Sequence, residues 1–225
     1  MKRLFAVLFA LSLLCCGCSG KAPVALSPGE FMAYPEEGDA ISPLSTKGEF
    51  TLTKNGVTTG SAGTADPAYS FTAYHSKRGI ALGSTLSDLA AAYPELSFNV
   101  IYGQSEDFKV QEGVAPGKIA SQAKAGKDIS FVLYTVRSIG GEVLSAKEFN
   151  EFCEENNVDS VTLSSDPGKY DYECWGMIFG ISGETVDSIS FTAVAQAQAE
   201  PTGSGAIPPS AAPEHQGGSE AGAAN

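Results

Sequence analysis

The sequence predicts an α+β domain: a mostly antiparallel sheet with two short helices packed on it. Three observations lead there. Asn55-Gly56 stands between the β-prone runs Phe50-Thr51-Leu52-Thr53 and Val57 onward, and Asn-Gly marks a tight hairpin because both central residues of such a turn take φ > 0. Ile129 to Val136 is apolar at nearly every position, as in a central strand covered on both faces. Two segments carry helix starts. Short helices beside antiparallel strands make this fold class.

The elements follow in chain order. After the first hairpin, Tyr69–Tyr74 reads as a strand. Ser84 or Thr85 caps the first helix, with Asp88 in its first turn. Leu86, Leu89 and Tyr93 fall at i, i+3 and i+7, and Pro94 ends the helix. Ser97–Tyr102 is a strand, 103–127 a long polar loop, and Asp128–Arg137 the central strand. Ser145-Ala146-Lys147-Glu148 is a capping box. Phe149, Phe152 and Cys153 make the apolar stripe of the helix it opens, and Asn156-Asn157 supply a left-handed stop. Val158–Leu163 reads as a short strand. Tyr170–Ile181 and Val186–Val194 close the domain as a hairpin across Ser182-Gly183-Glu184.

The flanks differ from this body. The chain opens MKRLFAVLFALSLLCCGCSG, a basic pair followed by the apolar run Leu4–Leu14. That run is too short for a membrane span and has the proportions of an exported leader. With Gly17 before Cys18, it resembles a bacterial lipoprotein signal. The resemblance implies cleavage after residue 17 and lipidation of Cys18. Cys16, with Leu13 three residues before it, is the alternative acceptor, and Cys15 stands where a branched aliphatic is usual. Two or more acyl chains anchor a protein stably where one does not. Residues 18–45, with Pro23, Pro28, Pro35 and Pro43, read as a semi-extended tether. Phe31, Met32 and Tyr34 are its large apolar residues, and docking on the body is their expected use. Residues 195–225 hold nine Ala, five Gly and four Pro and no aromatic, a composition expected to stay disordered. The domain proper is then 46–194.

Composition narrows the function. The 225 residues carry 14 basic and 26 acidic side chains, a net charge of −12. Loss of residues 1–17 would remove Lys2 and Arg3 and no acid, taking it to −14. Nucleic acid is not an expected partner, for want of a basic footprint. Nor would so acidic a body cling to an anionic membrane, so the lipid must hold it there.

The motifs that carry chemistry are weak. His75 is the body's one histidine, and no Gly-x-Ser-x-Gly elbow accompanies it. Gly113-Val-Ala-Pro-Gly117-Lys118-Ile119 is one residue short of a phosphate loop and has Ile119 where a hydroxyl is needed. Glu142, Glu148, Glu151, Glu154, Glu155 and Asp159 read as a solvated helix face rather than a metal site. No catalytic residue, metal or cofactor is expected. Cys153 and Cys174 leave two readings open in an exported chain, a disulfide or two buried thiols. Lys77-Arg78, beside His75, could grip an anionic partner. Tyr170, Tyr172 and Trp175 are candidates for an exposed aromatic contact patch.

Ser76-Lys77-Arg78-Gly79-Ile80-Ala81-Leu82-Gly83-Ser84-Thr85, the helix through Tyr93, and the hairpin Ile178–Phe191 resemble the small α+β domains of uncharacterised Gram-positive lipoproteins. These are akin to β-lactamase-inhibitor-protein-like folds. The resemblance implies a Gly-turn-helix unit ahead of a meander of strands, and work by protein–protein contact rather than catalysis. The function expected is a lipid-anchored, extracytoplasmic binding or assembly module. Its partner would be an envelope or extracellular protein. The alternatives are a solute-sensing or spacer lipoprotein, or an envelope hydrolase. Replacing Cys18 by Ser is expected to move the protein from the detergent phase to the aqueous phase in a Triton X-114 partition of whole cells; retention in the detergent phase would refute lipidation there.

Overall fold

A computed structural model describes residues 25–60, 74–103 and 108–195. Of the strand expected at Tyr69–Tyr74, only Tyr74 falls within them. The leader and the tail beyond residue 195 lie outside the described residues.

The main sheet is eight-stranded and antiparallel throughout its pairings. Its strands are β2 (Glu49–Thr53), β3 (Gly56–Thr59), β5 (Phe98–Tyr102), β6 (Lys109–Val114), β7 (Ile129–Ile139), β8 (Glu142–Leu144), β9 (Tyr172–Ser182) and β10 (Thr185–Val194). The order is β3-β2-β10-β9-β7-β5-β6, with β8 also on β7. A small second sheet pairs β1 (Ala33–Pro35) with β4 (Tyr74–Ser76). Four α-helices stand among the described residues: α1 (Leu86–Ala92), α2 (Pro116–Lys124), α3 (Ala146–Asn156) and α4 (Ser160–Ser165). The α+β class and mostly antiparallel sheet are as expected, with four helices where two were expected.

The sheet has two faces of different character. On the first, Val132, Tyr134 and Val136 of β7 stand opposite Phe179, Met177 and Trp175 of β9. These in turn face Ile189, Phe191 and Ala193 of β10, and Leu52 and Phe50 of β2 follow. All are buried in the principal core. Helix α1 covers it with Leu86, Leu89 and Tyr93, and α2 with Ile119 and Ala123 at i and i+4. The N-terminal segment completes the cover. Phe31 is fully buried, its ring 6.3 Å from that of Tyr134 and 6.0 Å from that of Trp175. Burying one such ring contributes about 1.5–3 kcal/mol. Leu26 and Ala33 are buried with it, so residues from about 26 onward belong to the domain rather than to a tether. Docking of Phe31 on the body is as expected.

Three local expectations are corrected. Residues 158–163 are not a strand. The Asp159 carboxylate accepts from Thr162 N–H at 2.7 Å and caps α4, which buries Leu163 while Val161 is 52% exposed. A strand would have put those two residues on one face. The stretch 103–127 is not simply loop. Pro116, which looks like a breaker, is the first residue of α2, where its missing N–H costs nothing. Finally, the first hairpin turns on Lys54-Asn55, not Asn55-Gly56, since Thr53 pairs Gly56. Gly56 takes the positive φ of 113° at the start of β3.

Two β9 glycines face hydroxyl side chains of the neighbouring strand. A Cβ at Gly176 would stand 2.7 Å from Thr192 Oγ1, and one at Gly180 would collide with Ser188 Oγ. Both hydroxyl side chains of β10 lie over the gaps in β9.

The helix starts set a pH dependence. Hydrogen bonds from the Thr85 side chain and then its N–H hold the Asp88 carboxyl below its usual range. Those from the Ser145 side chain and N–H do the same for Glu148, and those from Thr162 do so for Asp159. A carboxyl depressed in the folded state contributes stability that is complete above its unfolded pKa and is lost as pH falls through the folded value. Urea midpoints are therefore expected to decline from about pH 5 to about pH 3. The triple variant Asp88→Asn, Glu148→Gln, Asp159→Asn should show a shallower decline; an identical slope would contradict the assignment.

Candidate functional site

The basic corner is an internal clamp. Arg78 Nε donates to Glu30 Oε2 at 3.2 Å, and Nη1 donates to Glu95 Oε1 at 2.6 Å and to the Ala92 carbonyl at 2.9 Å. Its guanidinium lies 4.7 Å from the Tyr93 ring centroid. Lys77 Nζ is 3.8 Å from Glu30 Oε1 and half exposed. Two cations thus meet two carboxylates, and Arg78 is engaged within the protein rather than offered to an anionic partner. The clamp ties the N-terminal segment to the end of α1. Only a planar fork can serve three acceptors while stacking on a ring.

Beneath it lies a buried hydroxyl pair. Tyr93 Oη donates to Ser76 Oγ at 3.1 Å, and Ser76 Oγ accepts from Ile80 N–H at 3.1 Å. Burial pushes the Tyr93 phenol up to about 12. The lone body histidine, His75, has its Nδ1 2.7 Å from the Ser76 carbonyl, and its ring is stacked 6.4 Å from Tyr34. No cluster of three or more metal-ligating side chains occurs among the described residues.

The expected aromatic patch is not at the surface. Trp175 is buried against Phe31, and Tyr172 is buried beneath α3. Trp175 belongs to the first face and Tyr172 to the small core on the second. β9 is covered on both faces, so alternation along it brings neither ring to water. Tyr170, before the strand, meets Phe152 edge-on at 5.6 Å and Lys169 at 5.0 Å.

The second face of the sheet carries two features. At one end α3 and α4 pack Phe149 and Leu163 onto Tyr172, with Phe152, Cys153 and Cys174 half-buried around them. Cys153 and Cys174 are thiols in this structure, with no bridge between them. Arg137 stands opposite Cys174 in the β7–β9 register, its guanidinium 4.9 Å from the Phe149 ring centroid. Cys174 and Arg137 both stand beside the Tyr172 hydroxyl. Burial, and then the neighbouring Cys174, raise the Tyr172 phenol well above its usual value. A groove of about 370 Å³ opens beside Cys153, between the end of α3 and α4, lined also by Glu154, Asn157, Val158, Asp159 and Thr162.

At the other end Ile101, Leu133 and Ile178 form a separate small cluster, with Val110 and Phe131 half-buried at its border. Phe108, just ahead of β6, is 38% exposed. The motifs had not pointed here. Phe108-Lys109-Val110 lies in the stretch read as polar loop, and only its pairing with β5 makes it part of a face.

No family model, curated protein or solved structure matches this chain.

Arg78→Ala is expected to lower the unfolding free energy by about 1.5–3 kcal/mol, because it strands Glu30 and the Ala92 carbonyl as well as removing the cation. Arg78→Lys should recover less than half of that loss. Urea unfolding of both variants checks this, and equal stability of Arg78→Lys and the parent would contradict the fork geometry.

Proposed function

We propose that this chain is a lipid-anchored, extracytoplasmic, non-catalytic binding module that works by contact with another envelope or extracellular protein. Its opening residues, through Gly17-Cys18, support the address. The observation that carries the contact reading is the apolar stretch at the β5–β6–β7 end of the second sheet face. There Val110 and Phe131 are half-buried, and Phe108, immediately ahead of β6, is exposed. Apolar side chains gathered at one place on a surface mark contact sites. β6 is an edge strand of the sheet as described, so an extended segment of the partner could add beside it while its side chains meet that stretch. The domain's acidity favours a partner whose own surface is basic around the contact.

The test is cross-linking and affinity capture of the full-length protein from native membranes, with Phe108→Glu as the comparison. An exposed substitution of this kind should change stability by no more than about 0.5 kcal/mol. A stoichiometric protein partner held by the parent and released by Phe108→Glu at unchanged melting temperature is the expected result. A partner retained equally by both, or recovery of the lipoprotein alone, would overturn this reading.

A further inference from the structure

Two cysteines far apart in sequence, Cys153 on α3 and Cys174 on β9, pack against one small core of Phe149, Leu163 and Tyr172. Their surroundings are unequal. Cys174 lies beside the Tyr172 hydroxyl, and Arg137 is its cross-strand neighbour. A neighbouring guanidinium stabilises negative charge on sulfur. Cys153 instead lines the groove, where Glu154 and Asp159 are its acidic neighbours, and Glu151 and Glu155 lie on the same helix. The groove thus offers entry from solvent at Cys153, while Cys174 packs against the same small core from the sheet side.

We propose that Cys153 and Cys174 are a thiol–disulfide exchange pair, closed by a small uncharged or cationic disulfide that enters the groove beside Cys153. The exchange is balanced by that oxidant. The Cys153 thiolate, its proton released to water, attacks one sulfur of the small disulfide and expels one small thiolate. The Cys174 thiolate then attacks the Cys153 sulfur of the mixed disulfide and expels the second. The two cysteines lose two electrons and two protons together, and the small disulfide becomes two thiols. Closure joins α3 to β9 covalently, across the core on which both pack. The acidic groove sets the preference among oxidants, since a like-charged reagent is repelled and an opposite charge is concentrated there.

The experiment treats the folded full-length chain with cystamine, which is dicationic, and in parallel with glutathione disulfide, which is anionic. Peptide mapping by mass spectrometry without reduction then follows the 148–174 region. The expected product is a Cys153–Cys174 cross-linked peptide pair. It should form about tenfold faster with cystamine at low ionic strength, and the ratio should shrink as salt screens the acidic side chains. Cys174→Ser should accumulate the cystamine adduct on Cys153, and Cys153→Ser should react much more slowly at Cys174. A stable adduct on Cys153 of the parent with no cross-link would overturn the pairing. A cross-link that forms only in urea would overturn it as a property of the fold. Equal rates with the two reagents would overturn the role of the acidic groove.

Discussion

The architecture depends on one constraint: β9 must be covered on both of its faces. From Trp175 to Ile181 every residue of the strand is buried. On one side Trp175, Met177, Phe179 and Ile181 enter the principal core, and on the other Tyr172 and Ile178 enter two smaller ones. A single layer of strands cannot satisfy such a sequence, because alternation sends half of the side chains to each face. The remaining segments therefore act as covers. The N-terminal segment, α1 and α2 close the first face, and α3 and α4 close one end of the second. Where β9 has no side chain, at Gly176 and Gly180, Thr192 and Ser188 of β10 take the space.

Each cover brings its own fastening, and the fastenings explain where charge is found. Leu26, Phe31 and Ala33 lie at the start of the described chain and gain little from neighbours in sequence. The Arg78 fork, reaching Glu30, Glu95 and the Ala92 carbonyl, holds that segment against α1. The side chain that looked like a docking cation is thus paired within the protein. The α3–α4 cover is held at its starts by carboxylate caps and on its inner side by Phe149 over Arg137 and Tyr172. Because this cover rests on a core of only a few side chains, it is where a covalent link would matter most and where a thiol meets a groove.

The second face is closed unevenly. Helices pack at the Tyr172 end, whereas Val110 and Phe131 remain partly open at the other. The same uneven closure leaves a groove beside Cys153 at one end and partly open apolar side chains at the other.

Much of the local structure was legible in the sequence, because it rests on signals a few residues long. The Ser145–Glu148 capping box, the left-handed stop at Asn157 and the two-sided apolar run of β7 are as read, and of the two caps open for the first helix the structure uses Thr85, boxed with Asp88. The signals failed where one residue type serves two ends. Pro116 opens a helix as readily as it breaks one, and Val161-Thr162 is β-prone until Asp159 caps it into a turn. The order of residues alone was enough for the class of the domain, the position of most elements, its acidity, and an opening segment that resembles a lipoprotein leader. The folded chain was needed to show which aromatics are buried, that Arg78 is spent on Glu30 and Glu95, and that Cys153 and Cys174 share one core. Caps, turns and alternation are set by neighbours along the chain, whereas burial and charge pairing depend on which distant strand or segment arrives to cover a face.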